Sequence, residues 1–316
     1  MLSRTAENLY WMSRYIERAE NTARTLDVSF RTSLLPSTAD KEELHWRPAV
    51  MISPDPSDFD KRYGEPTGPN VMQYLALDRA NPSSIVACID KARENARSER
   101  SAITTEMWES LNATWLELNH LKFADLEKWG LREFFDWVKE RSHLFRGVSV
   151  GTMYRDDAFH FIRLGTFIER ADNTARILDV KYHMLLPDTE KVGGYVDYYQ
   201  WGALLRSVSA FRAYRKAYRD TVNPLRIAEI MVLNADMPRS LLACFEQLID
   251  SLEPLVGSKK LDCMRVAGQI YSELRYGKIE QILQAGLHEY LEDFMARNNA
   301  LGEAIQRDFM MTSPVE

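Results

Sequence analysis

Residues 16–28 read Ile-Glu-Arg-Ala-Glu-Asn-Thr-Ala-Arg-Thr-Leu-Asp-Val, and residues 168–180 read Ile-Glu-Arg-Ala-Asp-Asn-Thr-Ala-Arg-Ile-Leu-Asp-Val. Eleven of the thirteen positions are identical at an offset of 152, and one of the two changes, Glu20 against Asp172, keeps its charge. A segment written twice reads as an internal duplication. Two equivalent halves, 1–146 and 147–316, are expected to share one compact core.

The repeated segment lacks Gly and Pro, and Ile16, Ala19, Ala23 and Leu26 fall on one helical face. At about 100° per residue, Glu17, Asn21 and Arg24 gather opposite, with Glu20 and Asp27 on a flank. The second copy repeats this with Glu169, Asn173 and Arg176 beside Asp172 and Asp179. A solvated face has little reason to keep its identities twice, so both faces are expected to touch something. One reading is a structural ion network in which Glu20 pairs with Arg24, Glu17 with Arg176 and Arg24 with Glu169. The other is a site for a charged ligand or partner, made of Glu17, Arg18, Glu20, Asn21, Arg24, Glu169, Arg170, Asp172, Asn173 and Arg176.

At 316 residues and 45% hydrophobic content the chain can fill a sizeable core. A formal net charge of −6 gives no global basic field, which argues against nucleic acid as a partner. The opening residues lack an apolar leader core, and no apolar run approaches the roughly 18 residues of a membrane span. Cys88, Cys244 and Cys263 show no CxxC spacing and read as buried thiols in a reducing compartment. The expectation is a cytoplasmic protein.

Along the chain, a first helix is expected from about Arg4 to Leu34, ending before Pro36, and a short one around Lys41 to Trp46. Ser53 to Asn70, with Pro54, Pro56, Gly64, Pro66, Gly68 and Pro69, reads as a surface loop open to proteolysis. Asn81-Pro82-Ser83-Ser84 carries helix-start chemistry. Leu121 to Leu144 is an amphipathic segment interrupted at Gly130, and Arg146 to Thr152, with Gly147 and Gly151, reads as a turn between the halves. Further echoes follow: Trp46 in Trp201 at an offset of 155, and Pro82, Ser84, Ala87 and Cys88 in Pro238, Ser240, Ala243 and Cys244 at 156. Helical spacing in Leu261 to Phe309 breaks near Gly277 and Gly286. No segment has the alternation of a sheet, so the fold class is all-α, an internally duplicated helical bundle.

Carboxylates at i, i+3 (Glu17 with Glu20, Glu169 with Asp172) match part of a di-metal bundle pattern. The flanking arginines oppose a cation, and His160 and His183 sit outside ligand spacing, so neither metal nor cofactor is expected. Arg93, Arg97 and Arg100, and Arg212, Arg215, Lys216 and Arg219, are candidate anion contacts that read more simply as solvated faces. Ser84 and Ser240 read as caps, and Trp108 and Trp137 as core or interface anchors.

Arg4-Thr5-Ala6-Glu7-Asn8-Leu9-Tyr10-Trp11 leading into Ile16 to Glu20, Asn81 to Ser84 with Ala92 to Arg97, and Phe167 to Asp172 together resemble the bacterial alpha-E family over nearly the whole chain. The resemblance implies a family of largely unknown biochemistry marked by a Glu-Arg dipeptide, matched by Glu17-Arg18 and Glu169-Arg170. It also implies genomic neighbours: a circularly permuted ATP-grasp protein and a transglutaminase-like peptidase, a system that makes and cuts amide bonds. The leading expectation is therefore a non-catalytic accessory or binding subunit partnering an ATP-grasp-type ligase, its Glu/Arg/Asn face holding a peptide, a small molecule or the ligase. Two alternatives stand beside it: an enzyme using the paired acids as general acid and base on a peptide or amine, and a scaffolding homo-oligomer.

Overall fold

The computed structural model describes residues 1–34, 42–53, 55–184 and 195–310. The expected helix end before Pro36 and the start at Lys41 lie outside these residues. Among them every regular element is helical. In order they are α1 (Ser3–Ser33), α2 (Glu42–Ile52), α3 (Pro56–Tyr63), α4 (Gly68–Met72), a π-helical turn (Gln73–Leu77), α5 (Ile85–Ser98), α6 (Thr105–Leu118), α7 (Phe123–Trp129) and α8 (Leu131–Thr152). There follow α9 (Asp157–Met184), α10 (Tyr195–Ser207), α11 (Phe211–Tyr218), α12 (Pro224–Val232), α13 (Leu241–Val256), α14 (Asp262–Tyr276), α15 (Ile279–Ala285) and α16 (Leu287–Phe309).

The two longest helices, α1 and α9, carry the repeated segments and form the axis of the molecule. They pack on each other, α5 and α8 pack on α1, and α13 and α16 pack on α9. Ala19, Ala23, Ala171 and Ala175, all essentially fully buried, lie on the faces of α1 and α9 turned away from the crossing. Gly165, in the middle of α9, lies directly against the Tyr10 carbonyl and the Ser13 hydroxyl of α1, where any Cβ would collide with both. A mid-helix glycine costs up to about 1 kcal/mol of helix propensity, and here the close crossing requires it.

Both partner helices begin in the same way. Ser84 accepts the Ala87 N–H at 3.2 Å and Ser240 accepts the Ala243 N–H at 3.0 Å. The cap of α5 is thus Ser84, not Asn81, whose side chain instead accepts the Ser83 N–H and donates to the Tyr74 carbonyl. Gly130 and Gly286, both at positive φ, separate α7 from α8 and α15 from α16, as the sequence breaks indicate.

Three expectations are corrected. The stretch from Ser53 to Asn70 holds α3 and the start of α4, because Pro56 and Pro69 sit in first turns where their missing N–H costs nothing, capped by Asp55 and Thr67. The supposed turn at Gly147 to Thr152 is helical, so the expected boundary at 146/147 falls inside α8; the chain breaks instead between Met153 and Asp156. The short helix before Trp46 runs on through Pro48 to Ile52.

Replacing Gly165 with Ala should push α1 and α9 apart. An unfolding loss of about 2–3 kcal/mol is expected for this overpacking, measured by urea titration.

Candidate functional site

Where α1 and α9 cross, each Glu-Arg dipeptide reaches over to the other. Arg18 Nε and Nη2 donate to Glu169 at 2.5 and 3.0 Å. Arg170 Nε and Nη2 donate to Glu17 at 2.9 and 2.8 Å. Adjacent residues on a helix point about 100° apart, so a Glu-Arg dipeptide cannot close on itself and must find its partner across the interface. The ion network is present, but the expected cross-pairs Glu17 with Arg176 and Arg24 with Glu169 are not formed. Arg24 pairs within its own helix with Glu20 at 2.8 Å, and Arg176 with Asp172 at 2.7 Å.

Three further arginines, which the repeat alone does not reveal, complete the lattice. Arg14 donates to Glu169 at 2.9 Å while its guanidinium lies over Trp11. Arg146 of α8 binds Glu17 at 2.9 Å and also Glu20 and Ser142. Arg239, just ahead of α13, donates to Asn21 Oδ1 at 2.9 Å and Glu20 at 2.5 Å, and lies 3.2 Å from Glu17.

Glu17, Glu20, Asn21, Arg24, Glu169 and Arg170 are all buried. Burial alone would raise the carboxyls, but the arginines outweigh it. Arg170 and Arg239 hold Glu17 below its usual range, and Arg239, with His143 and Arg146, holds Glu20 well below it. Glu169, facing Arg18 and Arg14, is held at about 2. Desolvation brings Arg239 down to about 10 against the pull of Glu17 and Glu20, which leaves it protonated at neutral pH. Burial pushes the Cys88 and Cys244 thiols up to about 12, so neither is a ready nucleophile, and all three cysteines are free and buried.

Beside this lattice runs a cleft. Its polar part, about 460 Å³, is lined by Arg18, Asn21, Thr22 and Thr25 of α1 and by Glu169, Asp172, Asn173 and Arg176 of α9, with Ser83 and the end of α2 closing it. Its apolar part, about 610 Å³, shares Thr25, Ala49 and Ile52 and continues along Val28, Pro48, Ile177, Val180 and Leu204. Six of the ten sequence-chosen residues therefore border the cleft, while Glu17, Glu20, Arg24 and Arg170 belong to the lattice behind it. Thr25 and Ser83 were missed; the signal that could have found them is that each breaks the match between the two copies, Thr25 facing Ile177 and Ser83 facing Arg239.

Two cleft residues are incompletely matched. Among the described residues Asn21 Nδ2 and Thr25 Oγ1 have no hydrogen-bond partner, although these residues are only 2% and 6% exposed. Asn21 Oδ1 must face the Arg239 guanidinium, which has only donors, so the free end of that side chain is the NH₂ donor.

The other candidates are placed elsewhere. Arg93 lies 4.0 Å over the Trp115 ring and donates to Asn112, Arg97 pairs with Glu94, and Arg100 lies over Trp108. Arg212, Arg215, Lys216 and Arg219 are exposed on and just after α11. His160 packs against Phe159, and the His183 side chain lies outside the described residues. Among the described residues no cluster of three or more His, Cys, Asp or Glu is placed to hold a metal. The guanidiniums of Arg170, Arg239 and Arg146 stand between the acids instead.

The Alpha-E family model, described as a predicted alpha-helical domain with a conserved ER motif, matches residues 1–310. Among curated proteins, uncharacterized proteins of Mycobacterium bovis and Mycobacterium tuberculosis are 23% identical over alignments taking in 93% of this chain and 35% of theirs. The chain thus spans about a third of the length of these relatives. No solved structure matches. No helix among the described residues is long and apolar enough to cross a membrane.

Neutralising Glu17 by substitution to Gln leaves Arg170, Arg146 and Arg239 around an uncharged amide and should cost about 3–5 kcal/mol in chemical denaturation. Glu169 gives a pH signature. Its folded value of about 2 lies below the ordinary 4.5, so its contribution is complete above pH 4.5 and lost as pH falls towards 2. Wild type should shed roughly 3 kcal/mol through this window, and Glu169→Gln should flatten that slope.

Proposed function

The chain belongs to the Alpha-E family, and from that premise we propose that it is a helical binding domain, the accessory component of an ATP-grasp-linked system that forms amide or peptide bonds. Its site is the cleft between α1 and α9. The observation that carries this reading is the pair of buried, unmatched polar groups on Asn21 and Thr25, set in a region where the neighbouring charges are matched many times over. Burying an unsatisfied polar group costs about 1–3 kcal/mol, a penalty that a ligand with complementary atoms removes.

The same geometry disfavours the acid–base enzyme reading. A general acid or base works best with a pKa near the working pH, and each lattice carboxylate is held the other way by two or more guanidiniums. The ligase link is supported by the resemblance of the chain's motifs to a family with ATP-grasp neighbours.

The test is purification of tagged protein from its native host with mass spectrometry, comparing wild type with Thr25→Ile. Ile occupies the matching position 177, so the variant should keep its melting temperature within about 3 °C. An ATP-grasp protein recovered in near-equal amount by wild type and much less by Thr25→Ile is the expected outcome. Recovery of wild type alone, or equal recovery by both, removes the accessory reading or the cleft's part in it.

A further inference from the structure

The cleft has a counterpart on the other side of the α1–α9 crossing, and that counterpart is full. There, Glu17, Glu20 and Asn21 of α1 enclose the guanidinium of Arg239, which is the residue before the Ser240 cap of α13. The matching acids and amide on α9 are Glu169, Asp172 and Asn173, and all three line the open cleft. The residue before the Ser84 cap of α5 is Ser83, and it lines the same cleft. Arg239 and Ser83 thus occupy equivalent places, at the offset of 156 that also relates Pro82 to Pro238 and Cys88 to Cys244. One slot holds an arginine of its own, and the other is short of one.

Hydrogen bonding tells the same story. Glu20 accepts from Arg24, Ser142, Arg146 and Arg239, whereas Asp172 accepts only from Arg176 among the described residues. A carboxylate has about four acceptor sites, so Asp172 has room for another donor. Asp172 is also one methylene shorter than Glu20, which widens the slot. The arginines bordering the slot do not exclude a cation, because Arg239 sits beside Arg170 and Arg24 in the filled one. Asn21 Nδ2 and Thr25 Oγ1, nearby, are left for an oxygen acceptor.

We propose that the slot bounded by Ser83, Glu169, Asp172 and Asn173 binds a guanidinium or alkylammonium group on a ligand that also presents a carbonyl or carboxylate oxygen to Asn21 and Thr25. Arginine is the simplest such ligand, free or as a residue of a polypeptide. This rests on the binding reading above and names the chemistry the cleft would take.

The experiment pairs ligand titration with a variant that fills the slot. Free arginine, agmatine and an end-blocked peptide containing one arginine are titrated by NMR into wild type and Ser83→Arg. Saturable binding to wild type, weakened about tenfold or more by Ser83→Arg in a protein that melts no lower than wild type, is the expected result. Arginine above agmatine identifies a free amino acid as the source; binding of the blocked peptide alone identifies a polypeptide. Absence of binding by all three probes, equal binding to Ser83→Arg, or saturation by acetate in their place overturns the proposal. Should Ser83→Arg not fold, Arg239→Ser serves instead. Emptying the filled slot should lower its melting temperature and let millimolar methylguanidinium recover part of the loss, and no recovery in a folded Arg239→Ser overturns the proposal equally. If the probes fail while Thr25→Ile still loses the ATP-grasp partner, the ligand class falls and the binding reading stands.

Discussion

The reciprocal exchange of glutamate and arginine between α1 and α9 is the interaction on which the rest of this molecule depends. Two buried ion pairs are a doubtful source of stability, since desolvation consumes most of the Coulomb gain. Their value here is in register. Each pair is bidentate, and the crossing is so close that only Gly165 fits against the Tyr10 carbonyl. Sliding either helix by one turn would break both pairs at once, and Glu169, whose Arg14 and Arg18 partners both stand on α1, would be left without its counter-charges. The pairs act as a lock whose failure is expensive, which suits an axis on which α5, α8, α13 and α16 must all find their places.

That lock also limits the available chemistry. Glu17, Glu20 and Glu169 are the residues a search for catalytic acids would select, yet each is already committed to several arginines. A carboxylate held below its usual range in this way is poorly matched to proton transfer near neutral pH. The recognition proposed for the cleft needs atoms at the lattice's edge that are rigidly held but not yet used. Asn21 fits that description: its oxygen is fixed by Arg239, so its NH₂ group points where the lattice puts it.

Much of this was legible in the sequence. The helical class followed from periodicity, the breaks at Gly130 and Gly286 from glycine placement, and the expectation that the polar face touches something from the repetition of Glu17, Asn21 and Arg24 as Glu169, Asn173 and Arg176. The pairing went wrong for a geometric reason. Sharing a face does not mean sharing a crossing point, and Arg24 lies about 10 Å along the axis from Glu17, too far from the crossing to reach Glu169. Gly147 and Gly151 misled because a glycine inside a helix costs only about 1 kcal/mol, which α8 absorbs over 22 residues. Arg239 was hidden because it arrives from beyond α9, and its only trace was a mismatch with Ser83 inside an otherwise matching Pro-x-Ser step.

The mismatches carry more information than the matches. Within the thirteen repeated positions two differ, and each places a residue of the second copy on the cleft: Asp172 in place of Glu20, and Ile177 in place of Thr25, which itself faces the cleft from α1. The third departure, Ser83 for Arg239, opens it. Residues that hold the lock cannot vary without stranding a buried charge, so a chain built on this axis can acquire a site only where a lattice position is shortened, made apolar or left unfilled. All three kinds of change converge on one side of the crossing, and the opposite side stays closed by Arg239.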